Sequence, residues 1–452
     1  PRESKSPPEY RGLFDSRVSN PFPAICILST IVDKILIYYL LSTIIDKKEL
    51  VMIQRNLYLR LIRPFYGKPV IKVLTGLRRS GKSTMLLQIK QDLQKQGAAE
   101  NQFFELNLEA VEGLRLANFQ DLIALLTSFF SKLRPAEKGY VFLDEVQLLP
   151  DWEKAVNACN VSFNADIYIT GSNASLLSGN LATLLGGRYV SFQIHPFSFL
   201  EFTELFSPLN KPVPELFQDY LIFGGMPSLQ YLDLKYDPSM QLLRDIYNTV
   251  ILKDVVSYGQ IRDLDLLQRV ILYVLNNIGT IFSATSISKY FKSENRSVPV
   301  DTILSYLSLC EDAFFIKKVR RQDLPGKKLL TVNDKYFVAD HGFRECQLGG
   351  NQAHIQGVLE NIVYWELCRR GFEVHIGKLA DKEVDFVGHK DGVTSYYQVA
   401  YLLADEHTIS REFGALSSIE DNYEKSVLSL DHLDMSRGGI RHHNIVEWLL
   451  ES

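Results

Sequence analysis

The run GLRRSGKS, Gly76 to Ser83, sets two glycines, a lysine and a serine at the spacing G-x-x-x-x-G-K-[ST]. Glycines so placed let backbone N–H groups close on phosphate oxygens, the lysine reaches the terminal phosphates, and the following hydroxyl can hold magnesium. The cradle residues are Gly76, Arg79, Ser80, Gly81, Lys82, Ser83 and Thr84. A second centre stands at YVFLDEVQ, where an apolar run ends in Asp144 and Glu145. Behind a phosphate loop, Asp144 suits the magnesium shell together with Ser83, and Glu145 suits the orientation or deprotonation of an attacking water. Further on, ITGSN offers Asn173, with Ser172 second, as a sensor of a terminal phosphate, the alternative being a simple turn. Arg188 of GGRYV can act on a neighbouring nucleotide as an arginine finger, or else pair with a carboxylate as a structural arginine.

These residues need a frame that brings strand ends together. Between residues 52 and 200 short apolar runs alternate with helical patterns, as a parallel α/β sheet requires. The runs 71–75, 103–108, 140–143 and 166–170 read as four strands, and residues 84–96 as the helix that leaves the loop and adds its positive dipole end to the cradle. An open sheet of this kind binds its ligand at the carboxyl ends of its strands, which is where the loop and Asp144–Glu145 fall.

Composition bounds the class. A chain of 452 residues with 46% hydrophobic residues can bury several cores, so more than one domain is expected. The net charge of -4 excludes bulk electrostatic coating of nucleic acid but not a local basic patch. Cys26, Cys159, Cys310, Cys346 and Cys368 lack C-x-x-C spacing, which fits reduced thiols filling cores in a cytoplasmic protein. Residues 1–51 are different in character. They open on a Pro and Ser tract and run through an apolar stretch, 24–45, that carries Asp33 and Lys34 near its middle. Charges there cost roughly 2.5–3.5 kcal/mol each in a membrane span, so the segment reads as an upstream extension or start-site artefact, with an amphipathic helix or weak anchor as the alternatives.

Downstream, residues 201–255 read as helices interrupted by FGGMP, 223–227, a lid over the nucleotide or a plain linker. Residues 256–345 give helices at 264–277, 283–291 and 300–312, then strands at 314–319 and 328–332 about a turn at 324–326. That order suggests a winged helix. Its would-be recognition helix, DTILSYLSLCED, has no Lys or Arg and three acids, a poor fit to phosphates. The wing carries Lys317, Lys318, Arg320, Arg321, Lys327 and Lys328, a candidate contact for DNA or for a protein partner. The last segment, 350–452, gives a helix at 357–371, strands at 372–376, 383–387 and 396–400, then a further helix and strand and a terminal helix at 445–450. His442 and His443 before that helix read as a surface turn, with paired-histidine metal binding as the alternative.

Two resemblances rest on these residues. The run of LTGLRRSGKST, YVFLDEVQ, ITGSN, LLGGRY with HPFSFLEF, and YLIFGGMP resembles a family of bacterial and archaeal AAA-type ATPases, single chains with a P-loop domain followed by a domain of unknown function, DUF4143-like. The resemblance implies binding and hydrolysis of ATP with Mg2+, Walker roles for Lys82, Ser83, Asp144 and Glu145, and a homo-oligomer if Arg188 acts in trans. Within 350–452 the spacing resembles the PD-(D/E)xK nuclease core, with Glu360 as the helix acid, Asp385 on the second strand and Gln398 as the third ligand. Where the lysine belongs stands Ala400, and a carboxamide is a weaker magnesium ligand than a carboxylate. The expectation is a degenerate fold used for binding or assembly, with Lys390 or Lys425 as candidates to supply the absent charge and DNA cleavage as the lesser alternative.

Overall fold

In the computed structural model the described residues are 52–174, 186–256, 259, 261, 263–326, 328–330 and 333–451. The reading of residues 1–51 lies outside them. Five strands, β1 (Ile71–Thr75), β2 (Phe103–Asn107), β3 (Gly139–Asp144), β4 (Ala165–Gly171) and β5 (Tyr189–Gln193), form one sheet in the order β2-β3-β4-β1-β5. Every neighbouring pair in it is parallel. Side chains alternate between two faces, as a strand's period of two dictates. Ile71, Val73, Val141, Leu143, Ile167 and Ile169 meet Leu122, Leu126, Val156 and Cys159 of helices Phe119–Phe130 and Trp152–Ser162. Leu74, Phe142 and Tyr168 meet Leu59, Ile62, Met85 and Ile89 of helices Asn56–Ile62 and Lys82–Lys95 on the other face. With both faces covered, apolar runs without a polar side are what the strands should be. The fifth strand escapes a sequence reading because YVSFQ is half polar.

The rest of this unit shares a second, larger core. Helices Phe199–Leu205, Val213–Phe223 and Tyr236–Thr249 contribute Phe202, Phe217 and Leu243 to the same cluster as Leu267, Ile303, Phe337 and Trp365. The segment 201–255 is therefore packed into the modules C-terminal to it. The FGGMP break is also a close crossing of chains. A Cβ on Gly224 would come within 1.9 Å of Asp340 Oδ1, and one on Gly225 within 2.2 Å of the Phe197 carbonyl oxygen, so only glycine fits.

Helices Leu264–Asn276, Ala284–Ser293 and Val300–Asp312 fall where the sequence puts them. Strands β6 (Ile281–Phe282), β7 (Ile316–Val319) and β10 (Asp334–Val338) form an antiparallel sheet in the order β6-β10-β7. The expected hairpin differs. β7 pairs with β10, whereas β8 (Arg321–Asp323) pairs with β9 (Lys328–Leu329) and also runs parallel to β11 (Glu373–Leu379). The outer part of the wing is thus the edge of the next sheet, whose order is β15-β14-β13-β12-β11-β8-β9. Its other strands are β12 (Lys382–Lys390), β13 (Val393–Val399), β14 (Glu424–Ser429) and β15 (Arg441–Asn444). His442 and His443 lie in β15, not in a surface turn. His442 is buried, its Nε2 2.8 Å from Ser429 Oγ and its Nδ1 accepting from Met435 N–H. Helix Ile355–Arg369 is buried from Val358 through Leu367 and lies between the two sheets, as a helix apolar on most sides must. Its Asn361 side chain bonds both the N–H and the carbonyl of Val338, and Trp365 Nε1 donates to that carbonyl as well.

Candidate nucleotide site and the C-terminal carboxylate cluster

Because the sheet is parallel, the ends of β1, β3 and β4 arrive at one edge. β1 runs into Gly76, whose φ is 138 and whose absent Cβ would lie 2.3 Å from the Ile194 carbonyl oxygen. Arg79 (φ 66) and Gly81 (φ 101) also take positive φ, the change of hand along the backbone from which anion-binding nests are built. Helix Lys82–Lys95 starts there. Lys82 Nζ donates to the carbonyls of Gly76 and Leu77 at 3.1 and 3.2 Å and lies 3.6 Å from Glu145 Oε1. Burial lowers the Lys82 pKa, against the opposing pull of Glu145, Asp144 and Asp254. Ser80 Oγ is buried and without a hydrogen-bond partner. Ser83 and Thr84 are exposed.

Asp144 accepts from Asn107 Nδ2 at 3.0 Å and from Thr170 Oγ1, while Thr170 Oγ1 also accepts from the Glu145 N–H at 2.8 Å. Asn107 and Thr170 thus fix the acid pair from the strands on either side of it. Glu145 itself is held at φ 54, a strained conformation for a non-glycine residue, worth roughly 1–3 kcal/mol. Its Oε2 accepts from Ser172 Oγ at 3.2 Å and from Gln147 Nε2. Of the two candidates after β4, Ser172 faces Glu145, and Asn173 Nδ2 donates to the Asp254 carbonyl at 3.4 Å. Arg188 sits elsewhere. Its carbonyl accepts from Ile71 N–H at the amino end of β1, it is exposed, and its Nη1 is 3.4 Å from Asn157 Oδ1. That is the edge of the sheet opposite the loop, so Arg188 does not serve the loop of its own chain.

A cavity of about 300 Å³ opens beside the loop, lined by Arg79, Lys82, Ser83 and Glu145 and by Pro227, Ser228, Gln230 and Tyr231. The second set starts at the last residue of FGGMP, which brings the helical segment over the cradle. Two contributors are not legible in the sequence. Arg78, within the loop, bonds Glu109 Oε1 at 2.5 Å and lies 3.5 Å from Asp254 Oδ1. Asp254 belongs to a π-helical turn, Val250–Val256, and its Oδ2 is buried without a partner. A π-turn arises from backbone geometry and leaves no residue signature, although such turns gather at functional sites. The nest, the unpaired Ser80 hydroxyl and the buried ammonium fit a phosphate chain. Ser83 and Asp144, with phosphate oxygens and water, fit the oxygen shell that magnesium prefers.

The second cluster is C-terminal. Glu360 and Asp385 come together, and Gln398 Oε1 accepts from the Asp385 N–H at 3.3 Å. Neither lysine expected there takes part. Lys390 lies over the Phe372 ring and Lys425 pairs with Asp421. A third lysine, Lys335 of β10, stands between the two acids instead, 2.9 Å from Glu360 Oε2 and 3.3 Å from Asp385 Oδ1. Sequence spacing cannot show it, since β10 belongs to another sheet. Among the described residues no group of three His, Cys, Asp or Glu side chains is placed to hold a metal ion.

Comparison with known proteins finds matches for two parts of the chain. Residues 68–203 match an AAA domain, and residues 214–354 match a domain of unknown function, DUF8612. An AAA domain carrying a nucleotide cradle is thus followed by a separate module. The chain is 38% identical over 404 residues to an uncharacterized protein of Haemophilus influenzae, covering 88% of this chain and 99% of that one, and it belongs to the same family. An uncharacterized protein of Methanocaldococcus jannaschii is 26% identical over 427 residues, 90% of each chain. Among solved structures, the Aeropyrum pernix ORC1 protein in complex with DNA aligns at a TM-score of 0.32 and 12% identity, over 70% of this chain and 95% of that one. AMPPCP-bound DnaA from Aquifex aeolicus aligns at 0.30 and 14%, over 57% and 87%.

Proposed function

We propose that the chain is an ATP-binding switch that hydrolyses ATP slowly with Mg2+, and that the helical segment over the cradle passes nucleotide occupancy to the modules behind it. The observation that carries this reading is the shared cavity, where Lys82, Ser83 and Glu145 face Pro227, Ser228, Gln230 and Tyr231 across one space. In this reading residues 52–200 are the ATPase domain, 201–255 the lid, 256–345 a winged-helix-like domain and 350–452 a degenerate PD-(D/E)xK-like domain. The helix, strand, helix, helix, strand order of 264–319 supports the winged-helix assignment.

The residues divide the work. Backbone N–H groups of the loop and Lys82 bind the phosphates, Ser83 and Asp144 would hold magnesium, which would supply neutralisation of phosphate charge, and Glu145 orients the water that attacks. Ser172 holds Glu145 in place, and Asn173 ties the end of β4 to the π-turn. Arg188, at the far edge, acts on a neighbouring subunit's nucleotide, which makes the active form a homo-oligomer.

A cytoplasmic protein partner suits the output better than DNA. Lys317 pairs with Glu311 at 3.7 Å and Lys318 with Asp334 at 3.0 Å, so two wing lysines already have acids beside them. Lys327 lies outside the described residues, while Arg320 and Lys328 are exposed. No helix of the described residues is long and apolar enough to cross a membrane.

Steady-state ATP hydrolysis by wild type and Lys82→Ala, with and without duplex DNA at fixed salt, tests the reading. Turnover that Lys82→Ala abolishes and DNA leaves unchanged supports a protein-directed switch. Stimulation by DNA moves the output to nucleic acid, and turnover that survives Lys82→Ala removes the nucleotide reading altogether.

A further inference from the structure

Lys335 Nζ lies 2.9 Å from Glu360 Oε2, 2.7 Å from Glu383 Oε1 and 3.3 Å from Asp385 Oδ1. The four residues come from three elements: β10, helix Ile355–Arg369 and β12. The ammonium is 3% exposed, and Glu360 and Asp385 are each 8% exposed. Charges at such depth persist only when paired and hydrogen-bonded. Burial by itself would lower the Lys335 pKa, but Glu360, Asp385 and Glu383 together raise it, so the group stays cationic. Burial, with Asp385 adding to it, raises the Glu360 pKa, and the ammonium beside it opposes that rise.

The other oxygens of Glu360 and Asp385 are engaged as well. Glu360 Oε1 accepts from Gln356 Nε2 at 3.2 Å, and Asp385 Oδ2 from the Val399 N–H at 3.0 Å. Gln398, the expected third ligand, spends its Oε1 on the Asp385 N–H. A divalent ion placed among these carboxylates would stand against an ammonium that has no exposed side to retreat to, and like charges in low dielectric repel strongly. The magnesium that the nuclease resemblance implies does not fit the residues present.

We propose that Lys335 takes the place of the divalent ion at this centre, making it a metal-free ionic joint that fastens β10 to β12 and the buried helix rather than a hydrolytic site. The joint explains why three acids converge on one ammonium there, and it is independent of the nucleotide reading. Two sheets, that of β10 and that of β12, are held there by one cation.

The test is a Mn2+ titration of the nucleotide-free full chain followed by electron paramagnetic resonance, comparing wild type, Asp385→Asn, Lys335→Ala and the double variant. Wild type and Asp385→Asn should be indistinguishable, because any weak ion at the nucleotide loop is common to both. Lys335→Ala should gain one Mn2+ with a dissociation constant on the order of 10⁻⁴ M, the range of weak carboxylate sites, and Lys335→Ala with Asp385→Asn should lose it. One Mn2+ bound by wild type and absent from Asp385→Asn overturns the proposal. So does a folded Lys335→Ala chain that gains no ion. If Lys335→Ala is unfolded without metal, the wild-type comparison decides alone, and refolding of the variant on adding Mn2+ reads the same site.

Discussion

Arg78 Nη1 and Asp254 Oδ1 face each other at 3.5 Å, joining the phosphate loop to the π-helical turn that leads out of the helical segment. Asp254 is the member of this pair placed to oppose the ligand: a carboxylate beside a cradle meant for phosphates repels them, and it holds an arginine that phosphates would otherwise attract. Arrival of a triphosphate should therefore weaken this contact and free the turn. Asp254→Ala is expected to tighten ATP binding about five-fold, roughly 1 kcal/mol of relieved like-charge repulsion at partly screened range. Titration with a fluorescent ATP analogue measures it, and weaker binding in the variant would mean that Asp254 helps to build the site instead.

The same carboxyl should leave a trace in pH. Burial is the main cause that raises Asp254 to about 6 from its usual 3.8, with Glu145 adding to it and Arg78 opposing. A folded-state pKa above the unfolded one contributes stability that is full below about 3.8 and is lost as pH rises through about 6. Asp254→Asn removes that dependence. Relative to wild type, the variant should melt higher at pH 7.5, by an amount on the order of 1–2 kcal/mol, and the gain should shrink between pH 6 and 4. Thermal melts across that range check it; a difference independent of pH would assign the effect to the Arg78 contact alone.

At the opposite edge of the sheet Lys72 and Asp166 form an ion pair with no solvent exposure, and Asp166 also accepts from Gly67 N–H at 2.7 Å and Tyr168 Oη at 3.0 Å. Removing one member leaves the other charged and buried, which typically costs about 3–5 kcal/mol. Asp166→Ala should lower stability by that order in chemical denaturation, whereas the paired change Lys72→Met with Asp166→Leu should recover much of it. A loss below about 1 kcal/mol for the single change would show that Lys72 simply sheds its proton, the direction in which burial already pushes it.

How much the sequence makes legible depends on how local each signal is. Gly76, Gly81, Lys82 and Ser83 sit within one turn of chain, and Asp144 and Glu145 end an apolar strand, so short-range pattern is enough to find them. The helices 264–276, 300–312 and 445–450 are readable for the same reason. Asp254 and Lys335 are not. Each reaches its site from an element far away in sequence, one through a π-turn and the other across two sheets. The wing misleads because β7 and β8 are consecutive in sequence but join different sheets, a choice made by tertiary pairing and not by turn residues.

The position of Arg188 yields a prediction about assembly. Its backbone is hydrogen-bonded to Ile71 at the amino end of β1, one full strand away from Gly76, and its side chain is exposed beside Asn157. An arginine so placed can complete only another chain's site, and supplying it in trans is worth about 10³–10⁵ in turnover where such a residue operates. Specific ATPase activity should therefore rise with protein concentration. Arg188→Ala should abolish turnover while leaving ATP affinity unchanged, since Lys82 and the nest remain. Mixing Arg188→Ala with Glu145→Gln, each inactive alone, should restore part of the activity, because a mixed pair contains one intact site. Activity independent of concentration, together with a fully active Arg188→Ala chain, would leave Arg188 as a surface arginine bonded to Asn157.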